Sequence, residues 1–281
     1  MVTLSGANPQ QLEVKTPYVE LGATANDAVD GSLPVTINSG SVNMNQTGDY
    51  TVSYSAMDSV GNIGSITRTI QVRDTTKPII TLSGSGTVYL EVGDPYVEYG
   101  ATVRDNYDNN IVNKLVISGT VDTSIKGTYQ VSYDVTDSDG NQAETKIRTV
   151  YVMDGTSPIV LLSGANPQYV EVKTPYIEFG ATAYDAVDGS LSVTINSGEV
   201  NINQTGTYYV YYTAVDTANN TGNIQRTVIV KDTTKPIITL LGSGTVYLEV
   251  GDPYVEYGAT VRDNYDTDIA NKLVISGTVD T

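Results

Sequence analysis

Apolar and polar residues alternate with a period of two along most of this chain. In "TYQVSYDV" (128–135), Tyr129, Val131, Tyr133 and Val135 fall on one face, with Gln130, Ser132 and Asp134 on the other. That spacing is the mark of a half-buried β-strand. "KPIITLSG", "TVYLEVG", "YGATVRD", "KLVISG" and "TKIRTVYV" read as further short strands, separated by Gly, Pro, Asn and Asp, which supply turns. No window carries a stripe of period 3.6. Regularly spaced short strands between turn clusters predict an all-β sandwich.

The pattern repeats. "TPYVELGA" at 16–23 returns as "DPYVEYGA" at 94–101, "TPYIEFGA" at 174–181 and "DPYVEYGA" at 252–259, and the prolines (Pro17, Pro95, Pro175, Pro253) lie 78, 80 and 78 residues apart. A tandem array of repeats about 80 residues long follows. A longer period of 158 overlies it: the first and third repeats share "LSGANPQ" and "DAVDGSL", while 74–123 and 232–281 agree at 46 of 50 positions. Near-identity at the longer period indicates duplication in pairs. The boundaries fall at 1–74, 75–154, 155–232 and 233–281. The last segment matches its predecessor only as far as Thr123, so the fourth repeat is expected to lack its final strands and to be loosely ordered or completed by another molecule.

Tyr50, Tyr129 and Tyr208 each open a strand after "TGD", "KGT" or "TGT", as in a tyrosine corner, where the phenol returns to upstream backbone. Between "KLVISG" and Tyr129 there is room for one short strand, so the middle of the sandwich is abbreviated. "GATVRD", "GTYQVSYDVTDSDGNQAE" and the seam "DTTKP" resemble the bacterial surface immunoglobulin-like repeats, a pattern related to hyalin-type repeats and also found as modules of an insecticidal crystal protein. The resemblance covers the whole chain. It implies tandem immunoglobulin-like β-sandwiches arranged end to end, outside the cell, as spacer or adhesive modules.

Composition narrows the function. With 32 acidic and 15 basic residues the net charge is −17, the wrong sign for nucleic-acid phosphates or anionic lipid, and no apolar run approaches the ~20 residues of a membrane span. Zero Cys and zero His exclude disulfides, thiol nucleophiles, Ser-His-Asp triads and histidine metal sites. No signal peptide follows Met1, so the chain reads as part of something longer. Four copies of one carboxylate pair would be an unusual way to write an active site, and the chain is expected not to be an enzyme.

The aspartates carry more information. In an immunoglobulin-like sandwich the B–C and F–G loops lie at the pole where the chain enters. "RDNYDNN" (104–110) and "TDSDGN" (136–141) are the expected pair for the second repeat. With the entering linker they would gather Asp74, Asp105, Asp108, Asp137 and Asp139. The corresponding sets are Asp154, Asp185, Asp188 and Asp216, then Asp232, Asp263, Asp266 and Asp268. Two readings are open: calcium, which takes 6–8 oxygen ligands, or turn formation by Asp and Asn side chains bonding local backbone. In "TYYVYYTA" the inward set is Tyr208, Val210, Tyr212 and Ala214, which turns Tyr209 and Tyr211 outward. They would stack on a sugar or dock a neighbour, or form a cross-strand aromatic pair. The expected whole is a non-catalytic extracellular spacer array stiffened by calcium at its junctions. The alternatives are a module binding surface glycan or protein, and an accessory segment of a secreted toxin.

Overall fold

The computed structural model describes residues 1–281, and they are all-β apart from two single-turn 3-10 segments, Ile111–Lys114 and Ile269–Lys272. The chain divides into two compact units, Met1–Met153 and Asp154–Thr281.

The first unit holds two sandwiches. In the first repeat, β1 (Val2–Leu4), β3 (Ala23–Asp27) and β4 (Gly31–Leu33) form one sheet. β2 (Gln10–Glu13), β7 (Ile63–Arg73), β6 (Gly48–Met57) and β5 (Thr36–Asn38) form the other, in that order. The entering strand therefore changes sheets: β1 runs antiparallel to β3, whereas β2 runs parallel to β7. The second repeat keeps this plan. β8 (Ile79–Leu82) pairs with β10 (Ala101–Arg104), and β9 (Thr87–Glu91), β13 (Lys146–Met153), β12 (Gly127–Asp134) and β11 (Val116–Ser118) make the larger sheet. The short turn Ile111–Lys114 stands where the first repeat has β4, and it buries Ile111. Only β11 lies between it and Tyr129, the abbreviated middle expected from the sequence.

In the second unit, β14 (Ile159–Leu162), β16 (Ala181–Asp185) and β17 (Gly189–Leu191) face β15 (Gln168–Glu171), β20 (Thr221–Lys231), β19 (Gly206–Val215) and β18 (Thr194–Asn196). The fourth repeat contributes only β21 (Ile237–Leu240) and β22 (Ala259–Arg262). Thr245–Glu249 repeats the sequence of β9 but forms no strand, because the ladder partner of β9 is β13 and residues 232–281 hold no counterpart of it. For the same reason Ile238 is 60% exposed where its equivalent Ile80 is 3% exposed.

Each complete repeat closes on the inward side of its alternating strands. Val52, Tyr54, Ile70 and Val72 are buried in the first, Val131, Tyr133, Val150 and Val152 in the second, and Val210, Tyr212, Val228 and Val230 in the third. A buried side chain of this size contributes about 1.5–3 kcal/mol. The tyrosine corners form: the hydroxyls of Tyr50, Tyr129 and Tyr208 donate to the carbonyls of Gln46, Ile125 and Gln204 at 2.9, 2.9 and 3.0 Å.

The largest fully buried side chains are arginines, Arg68, Arg148 and Arg226, one inward position of the last strand in each complete repeat. Arg148 donates to Glu98 at 2.5 Å and to the carbonyls of Ser83, Ser85 and Gly100. Its guanidinium lies 5.4 Å from the ring centroids of both Tyr99 and Tyr133. Arg226 holds Ser163, Ala165 and Gly180 carbonyls and the Tyr212 hydroxyl. The glutamate of the repeated "PYVE" accepts from both tyrosines and from the following glycine N–H: Glu98 from Tyr96, Tyr133 and Gly100 at 2.6, 2.5 and 2.6 Å. Burial pulls this carboxyl's pKa up, but the two phenols, the N–H and the arginine outweigh it and hold the value below the usual range. In Arg148 each guanidinium nitrogen has an acceptor, which is what a buried charge requires. Glu256 of the fourth repeat keeps Tyr254 and Gly258, each at 2.6 Å.

Candidate junction sites

At the entry pole of the second repeat, Asp74 and Asp105 each use one oxygen in a turn and leave the other without a hydrogen-bond partner. In the first unit, Asp105 accepts the N–H groups of Tyr107 and Asp108 on Oδ1, both at 2.8 Å. Asp74 accepts Thr76 N–H at 3.1 Å on Oδ1. Asp137 accepts Asn141 N–H at 2.7 Å on Oδ1 and the Asn141 amide at 2.7 Å on Oδ2. That amide also donates to the Asp74 carbonyl at 2.9 Å, tying linker to F–G loop. So far these are turn formers. However, Oδ2 of Asp74 and Oδ2 of Asp105 are buried and have no hydrogen-bond partner. Asp74 is 3% exposed and Asp137 6% exposed.

Carboxylate oxygens of Asp74, Asp105 and Asp137 lie within 4.8 Å of one another. That is about the greatest separation two oxygens can have when both ligate one calcium at 2.3–2.6 Å. Burial pushes the Asp74 carboxyl up to about 6 against the Thr76 N–H, and the charges of Asp105 and Asp137 push the same way. The cluster is thus a buried, all-oxygen, anionic pocket, a donor set suited to a hard divalent cation.

The second unit builds the same pocket from Asp154, Asp185, Asp188 and Asp216, also within 4.8 Å. Asp185 Oδ1 accepts Val187 and Asp188 N–H at 2.8 and 3.1 Å. Asn220 ties the Asp154 carbonyl to Asp216. The remaining expected residues stand elsewhere. Asp108 is not part of the first cluster; it accepts Ser138, as Asp188 accepts Thr217, and in addition pairs with Lys114 at 3.2 Å. Asp139 is exposed. The third set does not assemble. Asp266 pairs with Lys272 at 3.0 Å, Asp268 accepts Asn271, Asp263 bonds its own turn, and residues 232–281 supply no F–G loop to close a pocket over Asp232.

A second feature of the seam is built wholly from protein, and the sequence had not singled it out. Glu13, at the end of β2, accepts Thr75 N–H and hydroxyl, the Thr76 hydroxyl, and the Asn106 amide at 2.9 Å. Burial raises its pKa, yet these bonds prevail and hold it at about 2. Lys15 donates to the Asn106 carbonyl at 2.7 Å and lies 5.4 Å over the Tyr107 ring. Tyr107 packs against the core of the first repeat, and its hydroxyl meets Thr47 N–H at 3.4 Å. In the second unit Glu171 takes Thr233, Thr234 and Asn264, Lys173 takes the Asn264 carbonyl at 2.7 Å, and Tyr265 meets Thr205. Lys15 and Lys173 both adopt φ 61°, a left-handed conformation costly for a residue with a Cβ. The second and fourth repeats place Gly93 and Gly251 there instead. The lysines accept that strain at the position where they grip the next repeat.

Tyr209 and Tyr211 face outward, 40% and 44% exposed. They do not form a cross-strand aromatic pair. Thr227 stands opposite Tyr209, and Tyr211 lies between Gln225 on β20 and Asn196 on β18.

Sandwich, corner, buried arginine and acidic pole together define an array of immunoglobulin-like modules. The chain belongs to the family of bacterial surface proteins with an Ig-like domain, whose pattern matches at residues 2–72, 80–152, 160–230 and 238–281. Among relatives, hyalin of Strongylocentrotus purpuratus is 31% identical over 221 residues, 72% of this chain and 18% of hyalin. An 81.3 kDa protein of Acholeplasma phage L2 is 30% identical over 211 residues, 69% of this chain and 28% of the phage protein. Pesticidal crystal protein Cry22Aa of Bacillus thuringiensis is 25% identical over 279 residues, 94% of this chain and 37% of that protein. The chain therefore spans well under half the length of these three. Among solved structures, a protocadherin GammaB4 extracellular domain aligns at 13% identity and a TM-score of 0.31 over 93% of this chain and 55% of that one. No helix is long and apolar enough to cross a membrane.

Proposed function

We propose that the chain is a non-catalytic, extracellular structural array whose repeats are joined by a protein clamp and by a divalent cation, calcium by its preference for oxygen, at the acidic entry poles. The observation that carries this reading is the pair of buried, unpartnered oxygens on Asp74 and Asp105. Each aspartate satisfies its own turn with one oxygen and directs the other into a pocket where three carboxylates converge. Without a cation these charges repel in a poorly solvated site. With one, Asp74 ligates from the linker and Asp105 and Asp137 ligate from the following sandwich, so the ion ties the seam while the apolar cores keep each repeat folded.

Calorimetric titration of the full chain with calcium tests this. Binding is expected at the two assembled clusters, with one site lost in Asp74→Asn/Asp105→Asn. Chelation should leave the β-sheet circular dichroism intact while loosening protection of the 74–76 seam in hydrogen exchange. Absence of any binding heat at millimolar calcium would return the aspartates to turn formation alone.

A further inference from the structure

The first and third repeats are offset by 158 residues, and the outward face of the larger sheet is one of the places where they differ. Apart from Ile70, which becomes Val228, the inward positions of β6 and β7 recur in β19 and β20: Val52, Tyr54, Ala56, Arg68 and Val72 correspond to Val210, Tyr212, Ala214, Arg226 and Val230. On the outward face of the same sheet, Thr51 becomes Tyr209, Ser53 becomes Tyr211, Ser65 becomes Asn223, Thr67 becomes Gln225, and Gln11 on β2 becomes Tyr169 on β15. The fold does not require these changes, because the first repeat forms the same sheet in the same register with small polar residues. Four of these five run from short side chains to an aromatic ring or a carboxamide, and the fifth exchanges a carboxamide for a ring; elsewhere on the face Asp49, Ser55 and Gln71 become Thr207, Thr213 and Ile229.

The structure brings the new side chains together. Tyr209 and Tyr211 are two residues apart on one strand, about 6.8 Å along it, with Gln225 directly across from Tyr211. A shallow depression beside Tyr211 is lined by Thr213, Asn223, Ile224 and Gln225. Asn223 accepts the Thr213 hydroxyl on Oδ1 at 2.9 Å, which fixes its side chain and leaves its NH₂ for a partner. No Lys, Arg, Asp or Glu lines the depression beside Tyr211, on a chain of net charge −17. The patch is an uncharged area on an acidic protein, and charge complementarity selects an uncharged occupant.

From this we infer that the outer face of the third repeat binds a neutral saccharide. A tyrosine ring offers an apolar face for the C–H side of a pyranose at little conformational cost, since it has two side-chain torsions. Carboxamides offer a donor and an acceptor each, the match for sugar hydroxyls. Paired rings along one strand suit an extended chain of sugars; Tyr169 on β15 stands outside this platform, because the Lys231 ammonium lies 4.5 Å over its ring.

The test is a printed glycan array probed with the full chain, followed by calorimetry on the best neutral oligosaccharide. The control restores the first repeat's own residues, Tyr209→Thr/Tyr211→Ser/Gln225→Thr, so the variant carries side chains already proven in this sheet. Uncharged glycans should be retained, and the variant should lose at least tenfold in affinity while its melting temperature and calcium titration stay unchanged. Silence across the neutral glycans, equal binding by the variant, or retention of acidic glycans only would each overturn the proposal. So would a concentration-dependent dimer abolished by the variant, which would assign the face to a second copy of the chain.

Discussion

Replacing Tyr107 with alanine should uncouple the first two repeats without unfolding either. A fully buried tyrosine removes roughly 150–250 Å² from water. Tyr107 is half-buried, so about 100 Å² is at stake, worth about 2.5 kcal/mol at about 25 cal/mol per Å². The Lys15 ammonium over its ring adds about 0.5 kcal/mol at an exposed site. The long bond to Thr47 adds little. The total of about 3 kcal/mol resides in the term between neighbouring repeats rather than in either sandwich, and corresponds to about two powers of ten in an opening equilibrium. Hydrogen exchange read by mass spectrometry on the full chain should show the amides of 42–47 and 105–110 exchanging about 100-fold faster in Tyr107→Ala. Those of β6 and β7 should be unchanged. Tyr107→Phe, which keeps the ring, should exchange nearly as the parent does. Unchanged protection at 42–47, or equal loss throughout β6 and β7, would refute the assignment of Tyr107 to the joint.

Two further outcomes follow from buried and clamped charges. Arg148→Met should destabilise the second repeat by about 3–5 kcal/mol, because it strands Glu98 and three carbonyls; Arg68→Met should cost the first repeat less, since Arg68 lies 3.8 Å from Glu20 and its Nε and Nη1 have no hydrogen-bond partner. Urea denaturation followed by exchange in each repeat checks the order of the two. The Glu13 clamp should be pH-dependent: its value of about 2 lies below the ordinary 4.5, so its contribution is complete above about pH 4.5 and is lost as pH falls toward 2. Thr75 and Thr76 amide protection should fall over that window, and Glu13→Gln should remove the dependence.

The alternation of "TYQVSYDV" predicted which side chains of β12 are buried, because a strand places successive residues on opposite faces whatever its neighbours do. The same rule turned Tyr209 and Tyr211 outward but could not name what stands opposite, since register depends on other strands. The parallel pairing of β2 with β7 was equally out of reach: antiparallel and parallel edges share one local pattern. Asp74, Asp105 and Asp137 were legible as a group because immunoglobulin-like topology brings linker and loops to one pole. The division of the Asp74 and Asp105 carboxylates between turn and pocket was not, because both uses ask for the same residue. Arg68, Arg148 and Arg226 carried a signal that went unread, a charge on the inward side of an otherwise apolar strand, recurring at the same place in three repeats. The Lys15–Tyr107 clamp carried a fainter one, in "DNYD" against "DAVD" at alternate seams.

That clamp bears on how such an array can change length. Its two halves lie on successive repeats, Glu13 and Lys15 on one and Asn106 and Tyr107 on the next. The other type of seam has Gly93 at the lysine position, and Ala186 and Val187 at the Asn-Tyr positions. Deleting or inserting one repeat by unequal recombination would set a lysine against Ala-Val, or a glycine against Asn-Tyr. Steps of 158 residues keep every half beside its complement. The heritable module is therefore the pair, and lineages that lengthen or shorten this array should do so in even numbers of repeats.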